Sequence, residues 1–246
     1  MISFKDFTDF CVSQTEFIAD ELRECKDNPT FTLKSDETVV TKVDLSVEDC
    51  LRQSISENFP EHCIKGEERQ TVNETSNLQW IIDPIDGTYS FTKGVPLFGT
   101  LIGLLENNKP KYGFLRMPLI QNSWMSGDGF KALKDGKMLS VNAHSSWKNS
   151  LILTTDQQTL ENSTLFTHWE KALDCGATAR TWGDCYGYYL LCLGKAEMMV
   201  DVGLKPYDIL PLIPILLGSG VDVIPIECNE YQNIIASKPG VWSQIK

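Results

Sequence analysis

Two carboxylates stand three residues apart in the segment Trp80-Ile-Ile-Asp-Pro-Ile-Asp-Gly-Thr88, directly after an apolar run. Pro84 restricts Asp83 to extended backbone geometry, and Gly87 allows the chain to turn so that Asp86 can fold back beside Asp83. Two carboxylates held close together repel each other unless a cation lies between them, and such hard oxygen ligands suit Mg²⁺. Asp-Pro and Asp-Gly are also ordinary turn dipeptides. The spacing alone is therefore compatible both with a metal site and with a plain pair of turns.

Three other acidic positions are weak signals in isolation. Glu67 lies in a Gly-Glu-Glu loop after a predicted helix, where a solvated acidic loop is the simpler interpretation. Asp208 follows Pro206-Tyr207 at the start of an apolar helix, where the helix dipole favours an acid. Asp44 is predicted at the N-cap of a helix, a position at which Asp is usually only a cap. None of the three indicates catalysis by itself.

Other catalytic templates fail on spacing. The sequence has no Gly-x-Ser-x-Gly segment, and His62, His144 and His168 stand in no recognisable nucleophile arrangement. Gly194-Lys195 is similar to the end of a phosphate-binding loop, but Ala196 replaces the required Ser or Thr. Zinc and dinucleotide-binding motifs are absent from the sequence as well. The chemistry that remains is metal binding through oxygen ligands.

The charge balance limits the classes of partner. The chain has 246 residues, with 22 Lys and Arg against 33 Asp and Glu, and a net charge of −11 at pH 7. Such a chain repels a phosphate backbone, so binding to nucleic acid is not expected. Metal cations held by some of these acids would reverse the sign locally and admit a small phosphate.

Apolar segments and cysteines predict the compartment. The N-terminal apolar residues are interrupted by Lys5, Asp6 and Asp9, which argues against a signal peptide. The most apolar later stretch, from Tyr207 to Gly218, is far shorter than the ~20 residues that span a bilayer. The eight cysteines form no Cys-x-x-Cys pair and are interpreted as reduced thiols. We therefore predict a cytoplasmic protein without a membrane segment.

Helices and strands that must position the acids alternate along the chain. Helical spacing of apolar residues covers 2–26, 44–58, 158–173, 184–194 and 206–218. Strand patterns cover 39–42, 80–83, 97–106, 109–117, 121–126, 151–154, 197–201 and 221–225. The alternation predicts a layered α/β protein. The polar stretch 131–150 predicts a boundary between an N-terminal half, 1–145, and a C-terminal half, 146–246.

Taken together, these segments resemble the inositol monophosphatase family of Mg²⁺-dependent phosphatases, from about Thr38 to Gly220. The resemblance is carried by Val40-Thr-Lys-Val-Asp44, Gly66-Glu67-Glu68, Asp83-Pro-Ile-Asp-Gly-Thr88 and Lys205-Pro-Tyr-Asp208. Its histidinol-phosphatase branch is the most similar, on the segments Pro96-Leu-Phe-Gly-Thr-Leu-Ile102, Thr181-Trp-Gly-Asp-Cys-Tyr-Gly-Tyr188 and Gly203-Leu-Lys-Pro-Tyr-Asp208. The resemblance implies an αβαβα sandwich of the inositol monophosphatase and fructose-1,6-bisphosphatase type, assembled as a homodimer.

The resemblance also implies the metal ligands. Glu67, Asp83 and the main-chain carbonyl of Ile85 would hold a first Mg²⁺, and Asp83, Asp86 and Asp208 would hold a second. The shared Asp83 would set the two ions ~3.5–4 Å apart, the spacing of two-metal phosphoryl sites. A third, looser ion is expected near Glu67.

Catalytic roles follow from the same resemblance. Asp44 and Thr88 would orient and deprotonate the attacking water, and Glu67 counts with them as a catalytic residue. Gly87 and Thr88 would offer backbone N–H groups to the phosphate oxygens. In-line attack then expels the alkoxide of the substrate.

Recognition of the leaving group is expected from Asp184 and Asp201. Two acids suit a cationic leaving group, such as the amine of histidinol, better than the neutral hydroxyls of inositol. Asp184 is equally well interpreted as the N-cap of the helix 184–194, and Arg180 could contact either the phosphate or a partner subunit. Substrate contacts are also expected from Glu67, Ile85, Asp86, Gly87, Thr88 and Asp208.

The predicted function is a Mg²⁺-dependent phosphomonoesterase that hydrolyses a small alcohol phosphate with a metal-activated water. Histidinol phosphate is the first substrate and inositol 1-phosphate the alternative. Two further alternatives are a 3′-phosphonucleotide phosphatase of the same superfamily and a non-catalytic metal-binding dimer. The pair Asp44 and Thr88 argues against the last, because pure metal binding does not need water-activating residues.

Overall fold

Two β-sheets alternate with layers of helices in the computed structural model of the chain, which describes residues 2–25, 31–33, 39–226 and 231–246. The first half contains α1 (Phe4–Cys25), β1 (Phe31–Leu33), β2 (Val39–Thr41), α2 (Lys42–Asn58), β3 (Cys63–Gly66), β4 (Leu78–Asp86), α3 (Thr88–Thr92), β5 (Gly99–Glu106), β6 (Lys109–Met117), β7 (Ser123–Gly127), β8 (Ala132–Lys134) and β9 (Lys137–Leu139). The second half contains β10 (Leu151–Leu153), α4 (Gln157–Glu161), α5 (Phe166–Asp174), β11 (Thr178–Arg180), α6 (Asp184–Cys192), β12 (Met198–Asp201), α7 (Pro206–Ile209), α8 (Ile213–Ser219), β13 (Asp222–Pro225), β14 (Ile234–Ser237) and α9 (Trp242–Ile245).

The larger sheet follows the chain from β3 to β9 in sequence order. Its neighbouring strands are antiparallel apart from β3 and β4, which are parallel. The smaller sheet has the order β11-β10-β12-β14-β13, in which β10 is parallel to both of its neighbours. β1 and β2 pair separately as a hairpin.

Each face of each sheet carries a helical layer. Phe7 of α1 and Leu51 of α2 belong to a core with Trp80 of β4 and Phe114 of β6. A second core lies between the sheets and joins α6 and α8 to β5, β6, β12 and β14. A third joins α5 and α9 to the far face of the smaller sheet, with Trp169 at its centre. The layers therefore run αβαβα, and the predicted fold class is confirmed.

A row of glycines seats the segment between α7 and α8 on the larger sheet. Gly103, Gly113 and Gly127 pair with one another across β5, β6 and β7. A Cβ atom on Gly113 would lie 1.9 Å from the carbonyl oxygen of Pro211, and one on Gly127 would lie 2.4 Å from that of Pro214. Because no side chain fits there, this row fixes how closely the α7–α8 segment approaches the sheet.

Two predicted helices are each broken in the structure. The pattern over 206–218 forms α7 and α8, because Pro211 has no N–H to donate and its ring clashes with the preceding turn. The pattern over 158–173 forms α4 and α5, and α4 ends at its C-cap, Asn162. The strand predicted at 80–83 continues to Asp86 instead of stopping at a turn. The division into halves at residues 145 and 146 stays a prediction.

The remaining sequence expectations concern cysteines and membranes. In the part of the chain that the structure describes, the free cysteines are Cys11, Cys50, Cys63, Cys175, Cys185 and Cys192. The side chains of Cys25 and Cys228 lie outside the described atoms. Across the described ranges, the helices are all too short or too polar to cross a membrane.

The glycine row gives a graded prediction for stability. Gly113→Ala should lower the free energy of unfolding by about 2–3 kcal/mol, because the new Cβ would overlap a main-chain carbonyl that cannot move alone. Gly103→Ala should cost less, about 1 kcal/mol, since its nearest contact is a side-chain methyl, Ile81 Cγ2 at 2.7 Å, and the nearest backbone atom, Pro211 Cα, is 3.2 Å away. Urea unfolding of both variants measures the difference. Equal losses would contradict the backbone-contact explanation.

Candidate active site

Three carboxylates converge where β4 ends. One oxygen each from Asp83, Asp86 and Asp208 lies within 4.8 Å of the other two. Asp83 and Asp86 are buried, with 2% and 8% of their surfaces exposed. The structure thus brings together the three residues predicted to hold the second metal ion, although their binding of a metal stays a prediction.

A β-bulge explains how two residues three positions apart reach the same side of a strand. In a regular strand, residues i and i+3 point to opposite faces. Asp83 pairs with Leu101, but Asp86 pairs with Gly99, so three steps along β4 match only two along β5. The extra residue turns the strand and brings both carboxylates to one side. Pro84 lies inside this irregularity, where its missing N–H costs no ladder hydrogen bond.

Burial and mutual repulsion make this cluster unfavourable in the ionised state. Burial raises the pKa of Asp83 well above its ordinary value, and the charges of Glu67, Asp86, Asp208 and Asp44 raise it further. The Oδ1 atom of Asp83 is buried without a hydrogen-bond partner among the described residues. An unpaired buried oxygen among several acids is the donor set that a hard divalent cation requires. The residues present therefore fit a bound Mg²⁺.

Asp86 and Asp208 are oriented by main-chain donors. The backbone N–H of Cys185, in the first turn of α6, donates to Asp86 Oδ2. The backbone N–H of Lys205 donates to Asp208 Oδ2 over 2.7 Å. Burial, together with the charges of Asp184 and Asp208, still raises the pKa of Asp86 well above its usual range.

Glu67 lies beside this cluster, just after β3. Its backbone N–H donates to the carbonyl of Ile82, the residue before Asp83, over 3.2 Å. Among the neighbouring charges, that of Glu67 makes the largest contribution to the raised pKa of Asp83. The carbonyl of Ile85, predicted as a ligand with Glu67, accepts the Thr88 hydroxyl over 2.8 Å.

Asp44 and Thr88 meet across a large separation in sequence. Thr88 Oγ1 lies 3.4 Å from Asp44 Oδ1. Thr41 donates its backbone N–H and its hydroxyl to Asp44 Oδ2. Burial raises the pKa of Asp44, and the hydrogen bonds from Thr41 offset only part of that shift.

The N-cap prediction for Asp44 is wrong. The helix begins at Lys42 with Thr41 as its cap, and Asp44 is the third helical residue of a capping box. The Thr-x-x-Asp spacing is a signature that could have identified this arrangement from the sequence.

Asp184 opens α6 in a left-handed backbone conformation, with φ of 49°. Its N–H donates to Thr155 Oγ1 over 2.9 Å. Because Gly183 is the N-cap, the interpretation of Asp184 as that cap is wrong. Burial and then the charge of Asp208 raise the pKa of Asp184 to about 6.

Asp201 ends β12 and is almost fully buried. Its Oδ1 accepts the backbone N–H of Thr155 over 2.9 Å, and its Oδ2 accepts the Tyr188 hydroxyl over 2.8 Å. Burial raises its pKa to about 7, although these hydrogen bonds oppose the shift. Thr155 is a site residue that no motif in the sequence revealed. Its place just past a strand parallel to β12 is the available signal, because the carboxyl ends of parallel strands share one edge.

A cavity of about 160 Å³ lies next to the carboxylate cluster. Its lining includes Asp86, Asp184, Asp201 and Asp208, together with Tyr188 and the segment 202–204. Gly87 adjoins it, since a Cβ atom there would lie 3.2 Å from Asp184 Oδ2. The cavity is small and its polar wall is acidic, which suits a compact ligand that carries positive charge.

Arg180 and the histidines stand apart from these contacts. Arg180 is exposed at the end of β11 and donates to the carbonyl of Ala179, so its role stays open. His62 accepts the Trp80 indole N–H, His144 pairs with Glu197, and His168 contacts the Ile245 carbonyl. The histidines have structural partners, as predicted.

Comparison with known proteins identifies the family. Residues 11–244 match the sequence model described as the inositol monophosphatase family. The chain belongs to that family. Its histidinol-phosphatases and inositol monophosphatases are phosphoric monoester hydrolases that depend on metals and act on small phosphorylated substrates, so the predicted enzyme class is confirmed.

Individual relatives include histidinol-phosphatases and inositol monophosphatases. The histidinol-phosphatase of Chlorobaculum parvum is 35% identical over 188 residues, which cover 76% of this chain and 72% of that protein. The bifunctional phosphatase IMPL2, chloroplastic, of Arabidopsis thaliana is 33% identical over 189 residues, 76% of this chain but only 54% of the relative. The solved structure of an inositol monophosphatase from Zymomonas mobilis is 30% identical with a TM-score of 0.82, covering 100% of this chain and 98% of that one.

Replacement of one cluster acid separates metal binding from folding. Asp86→Asn should reduce phosphatase activity at least ~1000-fold and abolish the rise in Tm that we expect Mg²⁺ to cause in the wild type. The fold should survive, because the amide oxygen still accepts the N–H of Cys185 and one charge leaves a repulsive cluster. A phosphatase assay measures the activity. Circular dichroism and thermal unfolding with and without Mg²⁺ measure the folding and the effect of the metal on Tm. A fully active variant would contradict the assignment.

The stability of the chelator-treated protein should fall as pH rises. The pKa of Asp201 is about 7 in the folded state against an ordinary 3.8, so the folded state keeps a proton that the unfolded state releases. Stability is therefore lost as pH rises from about 4 through 7, by about 3 kcal/mol from this group between pH 5 and 8. Urea unfolding of the wild type and Asp201→Asn across this range measures the difference in slope, and parallel slopes would refute the prediction.

Proposed function

We propose that this chain is a Mg²⁺-dependent phosphomonoesterase whose substrate is histidinol phosphate. The observation that carries the proposal is the acidic cavity beside the three-carboxylate cluster. A cluster that fits divalent cations can receive a phosphate, and an adjoining acidic wall can receive a cationic leaving group. The similarity to a histidinol-phosphatase over 76% of the chain supports the same substrate.

Two Mg²⁺ ions would occupy the cluster. Asp83, Asp86 and Asp208 would hold one ion, and Glu67, Asp83 and the Ile85 carbonyl the other, with a third, looser ion near Glu67. When bound, the ions supply positive charge to the phosphate oxygens and lower the pKa of water. In the chain itself, main-chain N–H groups hold Asp86 and Asp208 in orientation without placing a basic side chain beside them.

Asp44 and Thr88 would take up the proton of the attacking water. The Thr88 hydroxyl lies between Asp44 Oδ1 and the Ile85 carbonyl, at 3.4 and 2.8 Å. As the water oxygen bonds to phosphorus, the ester P–O bond to the substrate alcohol breaks, the water proton passes to Thr88 Oγ1 and the Thr88 proton moves to Asp44. The expelled alkoxide takes its proton from solvent water. The raised pKa of Asp44 makes this carboxylate a better base. The backbone N–H groups of Gly87 and Thr88 would bind the phosphate oxygens.

Asp184 would contact the ammonium group of the leaving alcohol. Asp184 borders the cavity and adjoins Gly87, whose backbone N–H is proposed to bind the phosphate. Asp201 would add negative charge without a direct contact, since both of its oxygens already accept hydrogen bonds. This division of labour favours an amino alcohol over a neutral polyol.

The alternatives differ in what the cavity must hold. Inositol 1-phosphate is the second candidate, favoured by the similarity to the Zymomonas mobilis inositol monophosphatase. A 3′-phosphonucleotide would leave the acidic wall of the cavity without a cationic partner. A non-catalytic metal-binding protein would not need the contact between the Thr88 hydroxyl and Asp44. A homodimer and a cytoplasmic location stay predictions from the family resemblance and the sequence.

Steady-state kinetics test the substrate. With saturating Mg²⁺, kcat/KM for histidinol phosphate should exceed that for inositol 1-phosphate, and Asp184→Asn should remove ~10- to 100-fold of this preference through the KM for histidinol phosphate. Asp174, an exposed acid on α5, provides the matched control. Asp174→Asn should leave kcat/KM unchanged for both substrates. If the wild type hydrolysed histidinol phosphate no faster than inositol 1-phosphate, or not at all, the substrate assignment would be wrong. Hydrolysis of inositol 1-phosphate would still support the assignment as a phosphatase.

A further inference from the structure

Glu48 is a buried carboxylate that the proposed chemistry does not use. It lies on α2 one turn after Asp44, and its side chain is fully buried. Its Oε2 accepts the backbone N–H of Glu68 over 2.7 Å, and its Oε1 accepts that of Arg69 over 3.1 Å. Arg52 also contacts Oε1, at 3.3 Å. Glu48 therefore holds two successive peptide groups immediately after Glu67.

Gly66 makes this contact possible. A Cβ atom on residue 66 would lie 2.0 Å from Glu48 Oε1 and 2.3 Å from its Cδ. The carboxylate thus lies directly against the backbone of the Gly-Glu-Glu loop, in space that any side chain at this position would fill. The glycine before Glu67 is explained by its contact with α2.

Further side chains of α2 hold the same loop. Arg69 donates to both carboxylate oxygens of Asp49, over 2.8 and 2.6 Å, and Arg52 donates to the carbonyl of Gln70 over 2.6 Å. The pair between Arg69 and Asp49 is exposed, with 41% and 56% of the side chains accessible, so it contributes little. Glu48 is the buried member of this set, and its hydrogen bonds are the ones shielded from water.

The position of Glu67 is set from two directions. On one side, its own N–H donates to the carbonyl of Ile82 on β4, next to Asp83. On the other side, the next two N–H groups are bound by Glu48 on α2. The loop is fastened at once to the strand that carries Asp83 and to the helix that carries Asp44.

We propose that Glu48 is a positioning residue that holds Glu67 at the carboxylate cluster and thereby sets the affinity for the divalent cation. This inference rests on the proposed metal dependence of the site. Residues that orient metal ligands through hydrogen bonds commonly change metal affinity ~10- to 100-fold when they are replaced. α2 then has two functions: it carries the proposed base, and it orients a proposed metal ligand.

Calorimetric titration with Mg²⁺ in the absence of substrate tests the proposal. Glu48→Gln keeps the size of the side chain but turns one acceptor into an N–H donor that faces the loop, and it should weaken binding ~10-fold or more. Gly66→Ala should do the same by displacing the carboxylate. Asp49→Asn, on the same helix and bonded to the same loop from outside, is the matched control and should bind Mg²⁺ as the wild type does.

Kinetics then separate positioning from general damage to the fold. The Mg²⁺ concentration for half-maximal activity should rise ~10-fold in Glu48→Gln, whereas kcat at saturating Mg²⁺ should stay within about twofold. Unchanged Mg²⁺ binding in both Glu48→Gln and Gly66→Ala would overturn the proposal. If the wild type bound Mg²⁺ but hydrolysed no phosphate ester, the proposed function would fail while the calorimetric test of Glu48 still stood. If the wild type bound no Mg²⁺, both would fail.

Discussion

The repulsion among buried carboxylates at the end of β4 is the constraint on which this site depends. Asp83, Asp86 and Asp208 approach one another within 4.8 Å, and the first two of them are buried. Such an arrangement costs free energy unless cations complete it. Regular secondary structure holds the acids together against this repulsion, because β4, α2, α6 and α7 each bring one or more acids to the same place. We therefore expect the geometry of the site and its affinity for a cation to change together.

Main-chain N–H groups, rather than basic side chains, orient many of these acids. Each such acid has one oxygen fixed by the backbone: Thr41 donates to Asp44, Cys185 to Asp86, Lys205 to Asp208, and Thr155 to Asp201. A backbone donor fixes direction without a full positive charge beside the acid. The negative potential needed to attract a divalent cation is thus retained, while the side chains lose their freedom to move apart.

Packing far from the cluster decides where its last member lies. The α7–α8 segment that carries Asp208 rests against glycines of β5, β6 and β7, at distances that no side chain would permit. The same segment contributes to the core between the two sheets. Stability of that core and placement of Asp208 are consequently coupled. A substitution that displaces this segment from the sheet would alter the carboxylate cluster even though no acidic residue is replaced.

The sequence by itself determined the segments whose signals are local. The apolar periods predicted most helices and strands, because they depend on residues a few positions apart. The pair Asp83 and Asp86 before a glycine was compatible with a carboxylate cluster, and the family resemblance added Asp208 to it. The tertiary structure alone decided the β-bulge that turns Asp83 and Asp86 to one side and the roles of Thr155 and Glu48. These features depend on partners that are distant in the chain, in a register and at distances that only the packed layers fix.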